Sequence, residues 1–481
     1  MKDKTKYALF GIAFSLLNAG MIYATPTAAK GLFTVAAGKT VQFANAVVAT
    51  REATHNLYQW DEVDDLISAA GSGWTVLTGD EWAYLLAYGR DNADVLNSLA
   101  TVKGQYGMVI LPDGWVKPKG VPTFSTDYTT YGYGANVYTT DTWALMEESG
   151  AVFLPCGGNG HENDLGEFVF DEDEWEQHGA YWASDQYSAT HGNSIHFNRD
   201  EIHDFNTYAE KTRYYSVILV KEVTPTILDE VDEIDDYTTK WTAAKTKDFA
   251  IMNRTMAKDG TLYTLCLPFD VPDVDASPLA GAEIFTFDGG RVSGSAGSEV
   301  LYLYMRPIEG KRLTQGVPYL LQWENTGESI TRLCFYHVEN WDDNTATATD
   351  PGNTSVKCHG VYPRAQIPGY ATGAEPHYNF FLGANNTLYW PDQTLYPSAK
   401  MKGFRAYFYI TPGGGPSPAP SYRNMPAVWT VSGGLSSPTG IEEVRSETAG
   451  AVRSEKLLRD GQIILVIDGK MYDLQGSKIK D

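Results

Sequence analysis

Five of the chain's nine histidines, His161, His178, His191, His196 and His203, fall within 43 residues of one another, beside Glu162, Asp164 and the run DEDEWE that begins at Asp171. Imidazoles and carboxylates at this density are the raw material of a zinc or calcium site. The spacing does not supply one: there is no HExxH or CxxC, and DEDEWE lacks the glycine and alternating oxygen donors of an EF-hand loop. A solvated polar loop face, with no metal or other cofactor, is the expectation. Paired carboxylates could also hydrolyse glycosidic bonds, but with 60 acidic residues in the chain their proximity in sequence says little. Separation across a cleft is what decides that chemistry. No G-x-S-x-G elbow is present, and GGNG at Gly157 lacks the Lys-Ser/Thr of a phosphate loop, so it reads as a tight turn.

What remains is binding. Trp182, Tyr187, His191, Asn193, His196, Asn198, Arg199, Asp200 and His203 combine flat aromatics with planar hydrogen-bonding groups, a mixture suited to sugars or to protein surfaces. In SIHFN, strand alternation turns Ile195 and Phe197 inward and Ser194, His196 and Asn198 outward. Trp182 is assigned to the core. The candidate ligand-binding residues are therefore Tyr187, His191, Asn193, His196, Asn198, Arg199, Asp200 and His203.

Three short strands must position them: Tyr181 to Ser184, Ser194 to Asn198 and Tyr214 to Val220, the last apolar on both faces. Upstream, Phe33, Val35, Val41 and Phe43 alternate around a turn at Ala37-Gly38, and Val63, Leu66 and Ile67 mark a helix over 61 to 70. In GWTVLTGDEWAYLLAYGR a strand from Trp74 to Leu77 enters a capping box of Thr78 and Glu81, with Leu77 and Trp82 placed as a hydrophobic staple. Trp82, Leu85 and Leu86 share a helical face, and Gly89 is the expected stop. A buried strand in GMVILPDGW follows, then a helix over 141 to 149 capped by Thr140 and ended by Gly150, then the strand 151 to 154.

These segments in this order, GWTVLTGDEWAYLL, GMVILPDGW, GAVFLPCGG, GAYWASDQYS and YYSVILVKEV, resemble the paralogous surface domains of Bacteroidetes and Fibrobacteres, which are similar to the formylglycine-generating-enzyme branch of the C-type lectin fold. The resemblance covers residues 31 to 223 and implies an α+β C-type-lectin-like domain with its ligand surface on the loops around 185 to 213. It departs from the enzyme branch at one point. Copper binding there needs a cysteine pair, and this region has Cys156 alone, so no oxidase activity is expected. The EPN-like or QPD-like triplet and WND-like strand of calcium-dependent lectins are also absent from residues 31 to 223.

The rest of the chain sets bounds. A formal net charge of -23 argues against nucleic acid and anionic membranes as partners. Residues 1 to 29 have the basic start, apolar run and small-residue cleavage site of a secretory signal, without a lipoprotein cysteine, and no later stretch is long and apolar enough to span a bilayer. Cys156, Cys266, Cys334 and Cys358 lie far apart, and buried thiols are expected, with at most one disulfide among the last three. An acidic linker over 224 to 240 precedes an all-β sandwich-like domain over 241 to 432, where LYTLCLPFDV, VPYLLQW and GFRAYFYI resemble a β-rich module common in secreted Bacteroidetes proteins. Residues 433 to 455 read as a mobile linker, and 456 to 481 as a C-terminal hairpin about Asp468-Gly469. That segment resembles the short C-terminal segments of exported Bacteroidetes proteins, though it lacks the full sorting-domain pattern. The whole reads as a secreted or cell-surface recognition protein for glycan or protein, without catalysis. The alternatives are a secreted glycoside hydrolase or other hydrolase, and a structural subunit of an envelope assembly.

Overall fold

A computed structural model describes residues 26–48, 56–90, 96–171, 177–202, 207–293, 300–342, 348–349, 356–367, 378–383, 388–389, 400–410, 427–431, 454–459, 462–467 and 470–472. The chain divides into two compact units, residues 1–225 and 226–481. Strands dominate both, and among the described residues no helix is long and apolar enough to cross a membrane. The signal-like residues 1 to 25, the linker residues 433 to 453 and the Asp468-Gly469 turn lie outside the described residues.

In the first unit the opening hairpin, Phe33–Ala36 and Lys39–Phe43, pairs antiparallel with the unit's last strand, Val220–Val223, which in turn pairs with Trp74–Thr75. The unit's two ends thus close one sheet, and the chain between them is looped out of that frame. Thr78 caps the helix Gly79–Ala83, with Glu81 returning a bond to the Thr78 amide, as the capping box predicts. Leu77, Trp82, Leu85 and Leu86 are all buried in one core. The helix runs on as a π-turn over Tyr84–Tyr88, and Gly89 ends it for want of space rather than for a left-handed backbone: a Cβ there would lie 2.0 Å from the Tyr84 ring. After a short helical turn over Tyr128–Tyr131 comes the helix Thr140–Glu148, and its cap is Thr139, one residue before the expected Thr140.

The sheet that carries the candidate residues has three antiparallel strands, His178–Gln186, His191–Asn198 and Thr207–Glu210. Both of its faces are covered. Tyr181, Ala183, Ile195 and Phe197 belong to the core that also holds Phe33, Phe43 and Trp82. On the other face Ala180 and Trp182 join Tyr58, Leu66, Val76 and Tyr215 in a second core. The expected strand from Tyr214 to Val220 is corrected: Tyr214, Tyr215 and Ser216 make single bridges to Gly160, Tyr58 and Tyr181, and regular pairing starts only at Val220. Its two-sided apolar pattern has a simple cause, because Val217 and Leu219 enter one core while Ile218 and Val220 enter the other.

In the second unit the expected acidic linker is also corrected. Ile227–Asp229 is a strand paired with Ala250–Asn253, and Ile234–Ala244 is a helix. The acids are ordered because cations meet them: Glu230 binds Lys402 and Arg405 and Glu233 binds Lys400 from elsewhere in the unit, and Asp232 binds Lys240 on the helix itself. Beyond lies a β-sandwich. One five-stranded sheet runs through Tyr263–Cys266, Pro318–Gln322, Glu283–Ser293, Val300–Pro307 and Ala427–Val431; the other is centred on Val356–Val361 and Arg405–Ile410. Phe285, Leu303 and Leu320 from the first interleave with Val356, Phe380 and Phe408 from the second. The C-terminal segment is a three-stranded antiparallel sheet, Ser454–Arg459, Gln462–Ile467 and Lys470–Tyr472, one strand more than the expected hairpin. Cys156, Cys266 and Cys358 are buried free thiols; burial pushes Cys156 up to about 12.

Candidate functional site

The candidate residues do not converge. His191 and Asn198 begin and end one strand, seven residues apart, hence roughly 23 Å at the rise of an extended chain. The seven that are described split into two ends and a middle.

The middle is structural. Ser194 is fully buried, and its hydroxyl lies 3.0 Å from His196 Nε2. The half-buried His196 ring packs 5.3 Å from His178 and 4.9 Å, edge to face, from Tyr215. The outward face expected for Ser194, His196 and Asn198 is therefore the face of the second core, a correction whose cause is that alternation separates two faces without saying that one of them meets water. Trp182 is fully buried, as expected, and its Nε1 donates to the Tyr58 carbonyl at 2.7 Å.

At the far end, the Asn198 side chain accepts the Asp200 and Glu201 amides at 2.9 and 3.2 Å and so builds the turn. Arg199 and Asp200 are exposed, with Arg199 lying over Gly132. His203 lies outside the described residues.

The near end differs. Tyr187 and Tyr208 stack face to face with centroids 3.9 Å apart and rings 3° from parallel, yet they remain 60% and 51% exposed. His191 meets Tyr208 at 5.5 Å and 80°, and its Nδ1 lies 2.9 Å from Thr190 Oγ1. Asn193 stands opposite Tyr208 in the register, donates to Asp185 Oδ2 at 2.7 Å and packs against Gly79. Asp185 Oδ1 accepts the Gly79 amide at 2.7 Å, which fastens this end of the sheet to the capped helix. On the opposite face, Trp60 covers Gly192, donates to the Ala183 carbonyl and carries Lys211 Nζ 4.0 Å above its ring. Tyr208 is the residue that sequence reasoning missed. It lies in NTYAEKT, which reads as polar loop, and only the brief alternation of Thr207, Tyr208, Ala209 and Glu210 marks a strand there.

A second polar cluster surrounds Gly160–Glu162. His161 Nδ1 lies 2.8 Å from Asp171, which also binds Arg213; Glu162 accepts from Tyr214 and Gln59. Burial, and then the Glu162 carboxylate, push the Tyr214 hydroxyl up to about 12. Among the described residues no three His, Cys, Asp or Glu side chains gather as a metal centre. A recess between the sheets of the sandwich, lined by Thr264, Phe287, Met305, Tyr319, Cys358 and Phe408 among others, has no carboxylate or imidazole in its lining. No family model matches the chain, and no curated protein or solved structure matches it either.

Proposed function

We propose that the chain is an exported or cell-surface recognition protein, without catalysis, that binds glycan or protein through its first unit, a C-type-lectin-like domain related to the surface domains of Bacteroidetes and Fibrobacteres. One observation carries this reading: two tyrosines, held parallel, are left more than half exposed at the end of a sheet that is otherwise covered on both faces. Exposed aromatics on a rigid support are the usual material of recognition surfaces. The closure of the frame sheet by the unit's first and last strands supports it, since loops projected from a closed frame can vary without disturbing the core.

The test is a glycan array and an envelope-protein array probed with the full chain, beside a Tyr187→Ala/Tyr208→Ala double variant. Binding by the native chain supports the reading, and its loss in the variant places recognition at the stack. Silence of the folded chain on both arrays overturns the proposal and moves the protein to a structural role.

A further inference from the structure

The geometry points to one ligand class for this surface: we infer that the Tyr187–Tyr208 stack seats a single uncharged pyranose ring of a glycan, taken up without a metal ion. The inference rests on the recognition reading above and adds the chemistry of the ligand.

Shape comes first. Rings 3° from parallel at 3.9 Å form one flat slab. A quaternary or methylated ammonium is held by aromatics arranged as a cage around it, which parallel rings do not provide. A pyranose offers the complement of a slab, a flat face of C–H bonds that packs on an aromatic ring while its hydroxyls point to the rim. Tyr208 has Tyr187 on one face and the edge of contact with His191; among the described residues no second ring stacks on Tyr187, so its outer face is the seat.

The rim is polar and suits hydroxyls. His191 is held through Nδ1 by Thr190, which leaves Nε2 as its other hydrogen-bonding atom. Glu210 is the cross-strand neighbour of His191, on the same face as Tyr208, and supplies an acceptor.

Charge then selects a neutral ligand. Lys211, next in sequence to Glu210, sits on the Trp60 ring and donates to Gln186, so it is not presented to an anionic sugar. Asp185 accepts the Gly79 amide on one oxygen and the Asn193 side chain on the other, so a calcium ion there would have to compete with both bonds. Stacking between the two tyrosines also fixes both rings before the ligand arrives, so little rotamer freedom is lost on binding.

The experiment titrates the full chain against immobilised neutral oligosaccharides, sialylated and sulfated glycans, and trimethyl-lysine peptides, with and without EDTA. The expected result is binding to neutral glycans only, unchanged by EDTA and by a rise from about 0.1 M to about 1 M salt, since no exposed charge pair is involved. Tyr187→Ala weakens it about tenfold or more, as loss of an aromatic anchor does, while Tyr187→Phe retains it. Circular dichroism checks that each variant folds, and Tyr187→Phe keeps the ring if the alanine variant does not. Loss of binding in EDTA, preference for an anionic glycan or for the trimethyl-lysine peptide, or indifference to Tyr187→Ala overturns this inference while leaving recognition standing. Silence of the folded native chain on both glycan and protein arrays overturns the two together.

Discussion

Asp185 and Asn193 are joined by a 2.7 Å hydrogen bond across two neighbouring strands, and the other oxygen of the same carboxylate holds the amide of Gly79 at the start of a helix. One side chain therefore ties the base of the tyrosine stack to the frame of the unit. Gly79 is buried, so an alanine at 185 leaves its amide without its acceptor. Asp185→Ala is expected to cost about 1–3 kcal/mol, the range for an unsatisfied buried donor, measured as a lower urea midpoint at unchanged slope.

Two of the candidate residues, His196 within the central strand and Arg199 just beyond its end, behave differently. His196 packs among His178, Tyr215 and Ser194, whereas Arg199 is exposed. Alanine at 196 should cost about 1–2 kcal/mol and alanine at 199 less than about 0.5, because only the first opens a packed site. Urea unfolding of the two single variants tests this; equal costs would contradict the assignment of His196 to the structure.

Gly192 leaves room for Trp60. A Cβ at 192 would come within 2.2 Å of Trp60 Cδ1, so Gly192→Ala has to displace the indole from its bond to the Ala183 carbonyl and from beneath Lys211. The expected cost is about 1–3 kcal/mol, as for other overpacked sites, together with a shift of tryptophan emission. A variant with native stability and native fluorescence would show that the indole yields freely.

Acid should loosen the second unit. Burial alone would raise the Glu230 carboxyl, but the bonds from Lys402 and Arg405 outweigh it and hold it below the ordinary carboxylate value. A depressed folded-state value means stability that is full above the unfolded carboxylate pKa of about 4.3 and is lost as pH falls through the folded value. Glu230→Gln is expected to destabilise at neutral pH by about 1–3 kcal/mol and to flatten the acid limb of a stability profile below about pH 4. An acid limb identical to that of the native chain would remove Glu230 from the account.

Local elements were legible because local physics makes them. The capping box of Thr78 and Glu81, the hairpin at Gly38, the burial of Trp82 and Trp182 and the strand texture after Trp241 all follow from spacing, alternation and propensity within about ten residues. The second core lies beyond that range. It assembles Tyr58, Leu66, Trp182 and Tyr215 from distant parts of the chain, and only that assembly decides that Ser194 and His196 face protein rather than water. The run from Asp229 to Asp236 is a linker by composition and a strand and helix by structure, since Lys400, Lys402 and Arg405, about 170 residues away, neutralise it.

The site divides along the same line. The sequence by itself determined that a stretch rich in Tyr, His and Asn is carried on short strands, because alternation and turn residues act between neighbours. Tertiary structure alone decided which of those residues meet: strand register sets Tyr208 against Asn193 and brings its ring onto Tyr187, and the same register places Asn198 and Arg199 at the other end of the sheet. Register is fixed by the burial of Ile195 and Phe197 in the core, and a slip of one residue would turn every one of these side chains to the opposite face.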